Sequence, residues 1–356
     1  MLNVTSFGES EVDSRGWFDD PPKHSDTIAH EPKRPTYLHA INVALDDSLA
    51  SDRAVVLLGE DIGEMGGAFR VTAGLLDKYG PDRVIDTPMS ESAIVGAAIG
   101  MAVEGLKPIV ELQFADFISC AYDQLVTQAA KLHYRFGIAV PMVVRAPSGG
   151  GVGAGPFHSQ SPEGIFAHIP GLKVVCPGSV QDAYDLMRAA VHDPNPVIFF
   201  EHKALYRSLR GELVRRLPPA NWTGNSKRVR LGRDVTIVTY GAMVRATMQA
   251  AVSLSQQGID AEVLDIMSIS PLDTEPILRS VEKTSRLVVV HEDTISGGIG
   301  AEIAARVSGA AFFFLDAPIV RIAAPDTPVP LARTLEEAYI PSVARITDGV
   351  IACVRV

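Results

Sequence analysis

The sequence predicts an α/β protein of two doubly wound domains, a larger one with a mostly parallel sheet followed by a smaller one. Three observations carry this expectation. Short, continuous apolar runs alternate with helix-period segments from about residue 36 onward, the pattern of strands covered on both faces by crossover helices. A stretch rich in Arg, Pro, Asn and Gly, expected as a linker over 208–229, interrupts the alternation. A second alternating block then fills 230–356. With 356 residues, 47% hydrophobic and 21% charged, the chain has enough apolar side chains for two cores.

The elements follow in order. Residues 1–35 are polar and acidic, carry Pro21-Pro22, Pro32 and Pro35, and lack an apolar period, so a poorly ordered arm is expected. The larger domain is expected over 36–207. Leu38, Ile41, Ala44, Leu45 and Leu49 recur at helical spacing. Residues 54–61 (AVVLLGED) read as a buried strand ending in acids. Residues 90–105 read as a helix, with Ser90 as its cap and Gly105 as its stop. A strand over 107–113 and a long helix over 116–136 come next. A strand over 140–147 runs into a glycine-rich loop. The strand 172–177, the helix 179–192 and the strand 196–202 complete this block. In the smaller domain, strands are expected over 234–241, 261–269 and 286–293. Helices are expected over 243–257, near 274–284 and after Gly297-Gly298.

A net charge of −10 argues against nucleic acid or an anionic membrane as the main partner. No apolar run is long enough to cross a bilayer. The first twenty residues include Glu9, Glu11, Asp13, Asp19 and Asp20, which is the wrong composition for a secretory or mitochondrial address. Cys120, Cys176 and Cys353 are few and widely spaced, so neither a disulfide framework nor a metal pair is expected. A cytoplasmic protein in a reducing compartment is the expectation.

Glu91 stands at the start of a helix whose residues 92–103 carry no charge. A Glu in a first helical turn is commonly there because the helix dipole favours it. A carboxylate held against so apolar a wall can also hold a proton on a bound heterocycle, because low polarity strengthens the contact. His158 follows the loop 148–157 and precedes Ser161-Pro162, a helix-start signal. It is either a solvated loop histidine or a proton carrier near neutral pH. Gly149, Gly151 and Ala154 fit a loose dinucleotide fingerprint, which would make the chain an NAD-dependent oxidoreductase. Gly155-Pro156 comes where that helix should open. Gly297-Gly298-Ile299-Gly300 is explained equally well by a tight turn from strand to helix. Gln113-Phe114-Ala115-Asp116-Phe117 ends a strand at a sheet edge where α/β proteins bind ligands, although such phenylalanines are more often core. Asp193 and Asn195 flank Pro194 and read first as a turn, second as oxygen ligands for a structural cation. His133, His168, His192 and His202 lack metal-ligand spacing and are taken as structural.

Several motifs together carry a family resemblance. They are Gly59-Glu60-Asp61, Gly66-Gly67-Ala68-Phe69-Arg70, Asp86-Thr87-Pro88, Ser90-Glu91, Gln113-Phe114-Ala115-Asp116, His158-Ser159-Gln160-Ser161, Pro170-Gly171-Leu172-Lys173-Val174-Val175 and Asp326-Thr327-Pro328. From about residue 36 to its end the chain resembles the beta subunit of the decarboxylating component of 2-oxo acid dehydrogenase complexes, within the transketolase group. The resemblance implies a pyrimidine-binding domain followed by a C-terminal transketolase-type domain, and thiamin diphosphate as cofactor. It implies that Glu91 contacts N1′ of the aminopyrimidine, that His158 acts in acyl transfer to a lipoyl arm, and that Gln113 and Phe117 lie near the cofactor. It also implies a structural potassium ion held around Met142, Val143, Ala190, Asp193 and Asn195. The Gly-Asp-Gly start and Asn-rich stretch that hold Mg²⁺ and diphosphate in this group are missing; Thr347-Asp348-Gly349 is a poor match. A separate alpha subunit is therefore implied, supplying the Mg²⁺ site in an α2β2 assembly, with a lipoyl-bearing dihydrolipoyl acyltransferase as a further partner. The expected substrate is a small 2-oxo acid, pyruvate or a branched-chain one, ranked ahead of acetoin. A non-catalytic assembly subunit is the competing reading. Phe117, Met267 and Phe157 depart from the family pattern.

Overall fold

In a computed structural model, residues 34–216 and 224–356 are described. The expected arm falls almost wholly on 1–33 and the middle of the expected linker on 217–223, both outside the described residues.

Twelve strands build two sheets: β1 (Val55–Gly59), β2 (Val84–Asp86), β3 (Lys107–Glu111), β4 (Val143–Ser148), β5 (Lys173–Val175), β6 (Val197–His202), β7 (Lys227–Arg230), β8 (Val235–Thr239), β9 (Ala261–Asp265), β10 (Ser268–Ser270), β11 (Leu287–Thr294) and β12 (Val320–Ala324). The large sheet has the order β10-β5-β6-β4-β3-β1-β2 and the small one β12-β11-β8-β9-β7. Every pairing is parallel except β10 on β5 and β7 on β9. The expected architecture is therefore present: two mostly parallel sheets, the larger first.

The helices form where spacing and caps demand them. Tyr37–Ser51 buries Tyr37, Ile41, Leu45 and Leu49, and the Thr36 hydroxyl accepts the His39 amide at 3.1 Å. It packs with Val180–His192, capped by Ser179, on one face of the large sheet. The other face is covered by the helix Glu91–Val103 and the helical segments after β3. This second core continues without a break into the small-sheet domain through Phe166, Cys176 and Phe200 against Val238, Tyr240 and Leu264.

Three expectations are corrected. The long helix over 116–136 is a 3₁₀ stretch (Ala115–Ala121), a π stretch (Gln124–Ala129) and a short α-helix (Ala130–Phe136). Its first turn is tightened where the Ser119 hydroxyl bonds the Asp116 carbonyl. The strand expected over 261–269 is two strands: β9 stays in the small sheet, while β10 crosses over and pairs with β5. Between them Met267 is buried and its carbonyl accepts the Cys176 amide at 2.9 Å, so the apolar run is continuous because it passes through the seam between the sheets. Ser161 does not cap the helix after His158; Pro162 holds that position ahead of Glu163–Ala167. The linker region also contains β7, whose basic sequence Lys227-Arg228-Val229-Arg230 gave no strand signal.

At the centre of the large sheet lies a buried guanidinium. Arg145 on β4 reaches Glu111 on β3 and, in bidentate fashion, Glu201 on β6, with Nε–Oε1 at 2.6 Å and Nη2–Oε2 at 2.9 Å. The Tyr206 hydroxyl donates to the same Glu201 carboxylate at 2.6 Å. At the seam, the Tyr240 hydroxyl donates to Glu163 at 3.0 Å. Burial, and then the charge of Asp293, raises the Glu163 carboxyl above its ordinary value of 4.5.

A carboxyl raised by folding contributes stability below its unfolded pKa and loses it as pH rises through the raised value. Glu163→Gln, which keeps an oxygen for Tyr240, is predicted to raise the melting temperature at pH 8 more than at pH 5. Scanning calorimetry at the two pH values checks this; a larger gain at pH 5 would refute it.

Candidate active site at the carboxyl edge of the large sheet

The chain runs from β1 outward to β2, then back across β1 to β3 through the helix Glu91–Val103. This reversal opens a crevice at the carboxyl ends of β1 and β3, where open parallel sheets bind ligands. The residues delivered there are Glu60 and Asp61 after β1, Glu91 after β2, Gln113 after β3 and the glycine-rich loop to His158 after β4. Gln113 donates to Asp61 Oδ2 at 3.1 Å across the crevice.

Glu91 begins its helix, with Ser90 at the cap position; the Ser90 side chain makes no capping bond. The Glu91 carboxylate is partly buried and forms no hydrogen bond or ion pair among the described residues. Its neighbour Glu60 is buried. Burial first, then the Glu91 and Asp61 charges, raise the Glu60 carboxyl above its usual value. The crevice thus contains one carboxylate free to accept and, beside it, a carboxyl biased toward keeping its proton.

His158 is also partly buried, and its ring is fixed by aromatic edges. Phe114 lies 4.6 Å away and Phe117 5.5 Å away, both nearly perpendicular to the imidazole. Neither ring nitrogen has a hydrogen bond among the described residues. Beside this cage an apolar groove of about 580 Å³ is lined by Phe117, Ile118, Tyr122, Phe157, Ile165 and Phe166. By residue type Phe114 and Phe117 read as core; the structure brings both rings to His158. Among the described residues no hydrogen bond, ring contact or ion pair joins His158 to Glu91.

The glycine loop does not serve a dinucleotide. Gly149, Gly151, Gly153 and Gly155 all have φ between +68° and +85°, a backbone only glycine adopts without strain. The amides it presents are already occupied: Gly150 donates to Glu292 at 2.5 Å, and Gly151 and Gly153 donate to Glu336 at 2.9 and 3.0 Å. Two carboxylates stand where a pyrophosphate would need to be. Under the loop, Lys203 is buried with its ammonium 5.8 Å from the Phe114 ring centre. Burial pulls its pKa down to about 8 against the pull of Asp116, Glu292 and Glu336.

The groups expected to hold potassium already have partners within the protein. Asp193 Oδ2 is bound by the Lys173 ammonium, and Oδ1 accepts the Asn195 amide at 2.9 Å. Asn195 Oδ1 is 2.6 Å from His133 Nδ1. The Met142 carbonyl accepts Val197 N and the Ala190 carbonyl accepts Asp193 N, while Val143 lies inside β4. An ammonium from β5 thus supplies the positive charge that Asp193 needs. Among the described residues no group of three or more His, Cys, Asp or Glu is arranged to hold a metal ion. No helix there is long and apolar enough to cross a membrane.

Comparison with known proteins bears on this geometry. Residues 33–208 match the family described as transketolase, pyrimidine binding domain, and residues 224–346 match transketolase, C-terminal domain. The chain is 46% identical to the 2-oxoisovalerate dehydrogenase subunit beta of Bacillus subtilis over 86% of its own length and 94% of that protein. This chain belongs to the beta subunits of 2-oxo acid dehydrogenase E1 components. Other beta subunits are equally similar. One from Cupriavidus necator, of an acetoin:2,6-dichlorophenolindophenol oxidoreductase, is 47% identical over 86% of this chain and 94% of the relative. A pyruvate dehydrogenase E1 beta subunit of Acholeplasma laidlawii is 47% identical over 84% and 91%. A solved split-gene transketolase, an inactive beta4 tetramer, superposes with a TM-score of 0.72 over 90% of this chain and 98% of its own at 21% identity, a likeness of fold. As a member of this family, the beta subunit is part of an oxidoreductase, and its pyrimidine-binding domain implies thiamin diphosphate.

Several residues of this edge were not singled out as site residues by the sequence. Glu60 stands inside a motif that carries the resemblance, so a signal existed; Lys203 follows a recognised strand. Glu292 lies in the last part of a recognised strand. Glu336 lies on a helix, Arg333–Tyr339, that the apolar pattern does not reveal. If Lys173 rather than potassium serves Asp193, exchanging potassium for sodium leaves the melting temperature of this beta subunit unchanged. Lys173→Met then destabilises it by about 1–3 kcal/mol, the cost of stripping a charged partner from a buried group. A thermal shift on potassium removal equal to that of the variant would contradict this.

Proposed function

We propose that this beta subunit contributes the aminopyrimidine half of a thiamin diphosphate site shared with an alpha subunit in an α2β2 assembly. Its activity is the oxidative decarboxylation of a 2-oxo acid with acyl transfer to the lipoyl group of an acyltransferase. The carrying observation is Glu91: a partly buried carboxylate without a partner, at the crevice where the large sheet reverses direction. The cofactor, when bound, supplies the nucleophilic carbon that attacks the 2-oxo carbonyl. Glu91 holds a proton at N1′ of the aminopyrimidine, and the uncharged helix behind it keeps that contact strong. Gln113 and Phe117 border the cofactor, and Gln113 is oriented by Asp61. His158, held edge-on by Phe114 and Phe117, moves a proton to or from the sulfur of the lipoyl arm during acyl transfer. The alpha subunit brings the Mg²⁺ and diphosphate ligands. The assembly works in the cytoplasm, in keeping with three free cysteines.

The choice of substrate rests on the groove beside His158. Its aromatic and branched lining suits an aliphatic acyl chain, which favours a branched-chain 2-oxo acid over pyruvate, and either over acetoin. The acetoin reading keeps one support, the 47% identity to the Cupriavidus necator protein.

With the alpha partner present, Glu91→Gln is expected to lower kcat by roughly 10²- to 10⁴-fold, the usual scale of a lost acid–base contact, while the α2β2 particle still assembles. Near-wild-type turnover would instead make Glu91 a helix-terminus residue. In the same enzyme, kcat/KM for 3-methyl-2-oxobutanoate should exceed that for pyruvate by roughly tenfold, the worth of two buried methyl groups. A preference for acetoin would reverse the assignment.

A further inference from the structure

The loop that carries His158 is held from the other domain. Its neck is closed where Gly149 N donates to the Gln160 carbonyl at 3.1 Å and Gln160 N donates to Asp116 at 3.2 Å. Its outer part carries the left-handed glycines Gly151, Gly153 and Gly155. There the polar tethers to the rest of the chain, among the described residues, are the amides of Gly150, Gly151 and Gly153 on Glu292 and Glu336. Glu292 lies in the last part of β11, and Glu336 lies on Arg333–Tyr339. Both belong to the small-sheet domain.

The two carboxylates differ. Glu292 also bonds His202 at 2.8 Å, a residue of β6. Burial tends to raise its pKa, but His202, the Gly150 amide and Lys203 outweigh burial and hold it below its ordinary value. Glu336 is 3% exposed, and its side-chain hydrogen bonds among the described residues all come from this loop. Removing a carboxylate from water to face only amides is costly. What it gains is geometry. The alternating left-handed glycines turn N–H groups toward Glu336, whose carboxylate accepts from Gly151 and Gly153 together. Shift that anion, and the stretch from Gly151 to Phe157 loses its fixed point while Phe114 and Phe117 still press on one end.

We propose that Glu336, assisted by Glu292, is a positioning residue: a carboxylate of the C-terminal domain sets where the His158 imidazole stands for acyl transfer. This rests on the role given to His158 above.

The test uses the enzyme reconstituted with its alpha partner and three beta variants, Glu336→Gln, Glu336→Ala and His158→Ala. Two rates are read: oxidation of the 2-oxo acid with a soluble dye as acceptor, and acylation of an isolated lipoyl domain. Hydrogen exchange of the loop amides is followed in parallel. Glu336→Ala is expected to slow lipoyl acylation about 10- to 100-fold, the scale of a misplaced catalytic group, and to slow the dye-linked rate several-fold less. Glu336→Gln, which keeps one accepting oxygen, falls between. Exchange at 150–153 quickens in both. Adding Glu336→Ala to His158→Ala lowers acylation no further, because both act through one imidazole. Equal losses in the two rates, additive losses, or unchanged exchange in Glu336→Gln would overturn the proposal. If Glu336→Ala fails to assemble, the isosteric Glu336→Gln decides by the same comparison. Full acylation by His158→Ala would instead remove the underlying role of His158. Loss in His158→Ala with none in Glu336→Ala or Glu336→Gln refutes the positioning role alone.

Discussion

The large sheet is organised around one guanidinium. Arg145 spans three adjacent strands, and its partners Glu111 and Glu201 are 4% and 0% exposed. A buried ion cluster of this kind adds little net stability over an apolar core of the same volume. It does penalise alternatives. Shifting β4 by one residue against β3 or β6 would turn Arg145 to the opposite face of the sheet and leave two carboxylates alone in the interior. Register matters here because the site consists of what comes immediately after these strands: Gln113 beyond β3, the glycine loop beyond β4, Lys203 beyond β6.

From that fixed edge the site is built by two kinds of contact. Glu91 opens a helix and Gln113 follows the end of β3, and both reach the crevice directly. His158 sits on a loop and needs help from both ends, aromatic rings on one side and carboxylates of the second domain on the other. The chemistry is therefore divided between a rigid half and a half whose shape depends on how the domains are docked. The continuous apolar core through Phe166, Cys176 and Tyr240 gives that docking its rigidity.

Much of this was legible in the sequence. The strands were legible because parallel strands buried on both faces are unbroken apolar runs, and the helix at Glu91 because its residues are apolar and a glycine ends it. Glu91, Gln113 and His158 stood out as candidates because Glu91 opens a helix, Gln113 ends a strand run and His158 follows a glycine-rich loop. Elements that rely on partners were harder to see. β7 is a basic strand held by pairing with β9, and β10 is three residues hidden at the end of a run that reads as one strand. The role of Glu336 was invisible, since a Glu on a short exposed-looking helix has no pattern to mark it. The potassium expectation meets a contact the sequence does not show: Lys173, twenty residues upstream of Asp193, reaches the Asp193 carboxylate.

The crossing of Ser268–Ser270 into the large sheet has a consequence for how the polypeptide is made. A ribosome must deliver residue 270 before β5 acquires its outer neighbour. Until then β5 presents an open edge of a nearly finished parallel sheet, the kind of edge that recruits strands from other molecules. Cutting the gene between the two family segments would make that transient exposure permanent, so the halves of this chain are not independent modules for expression.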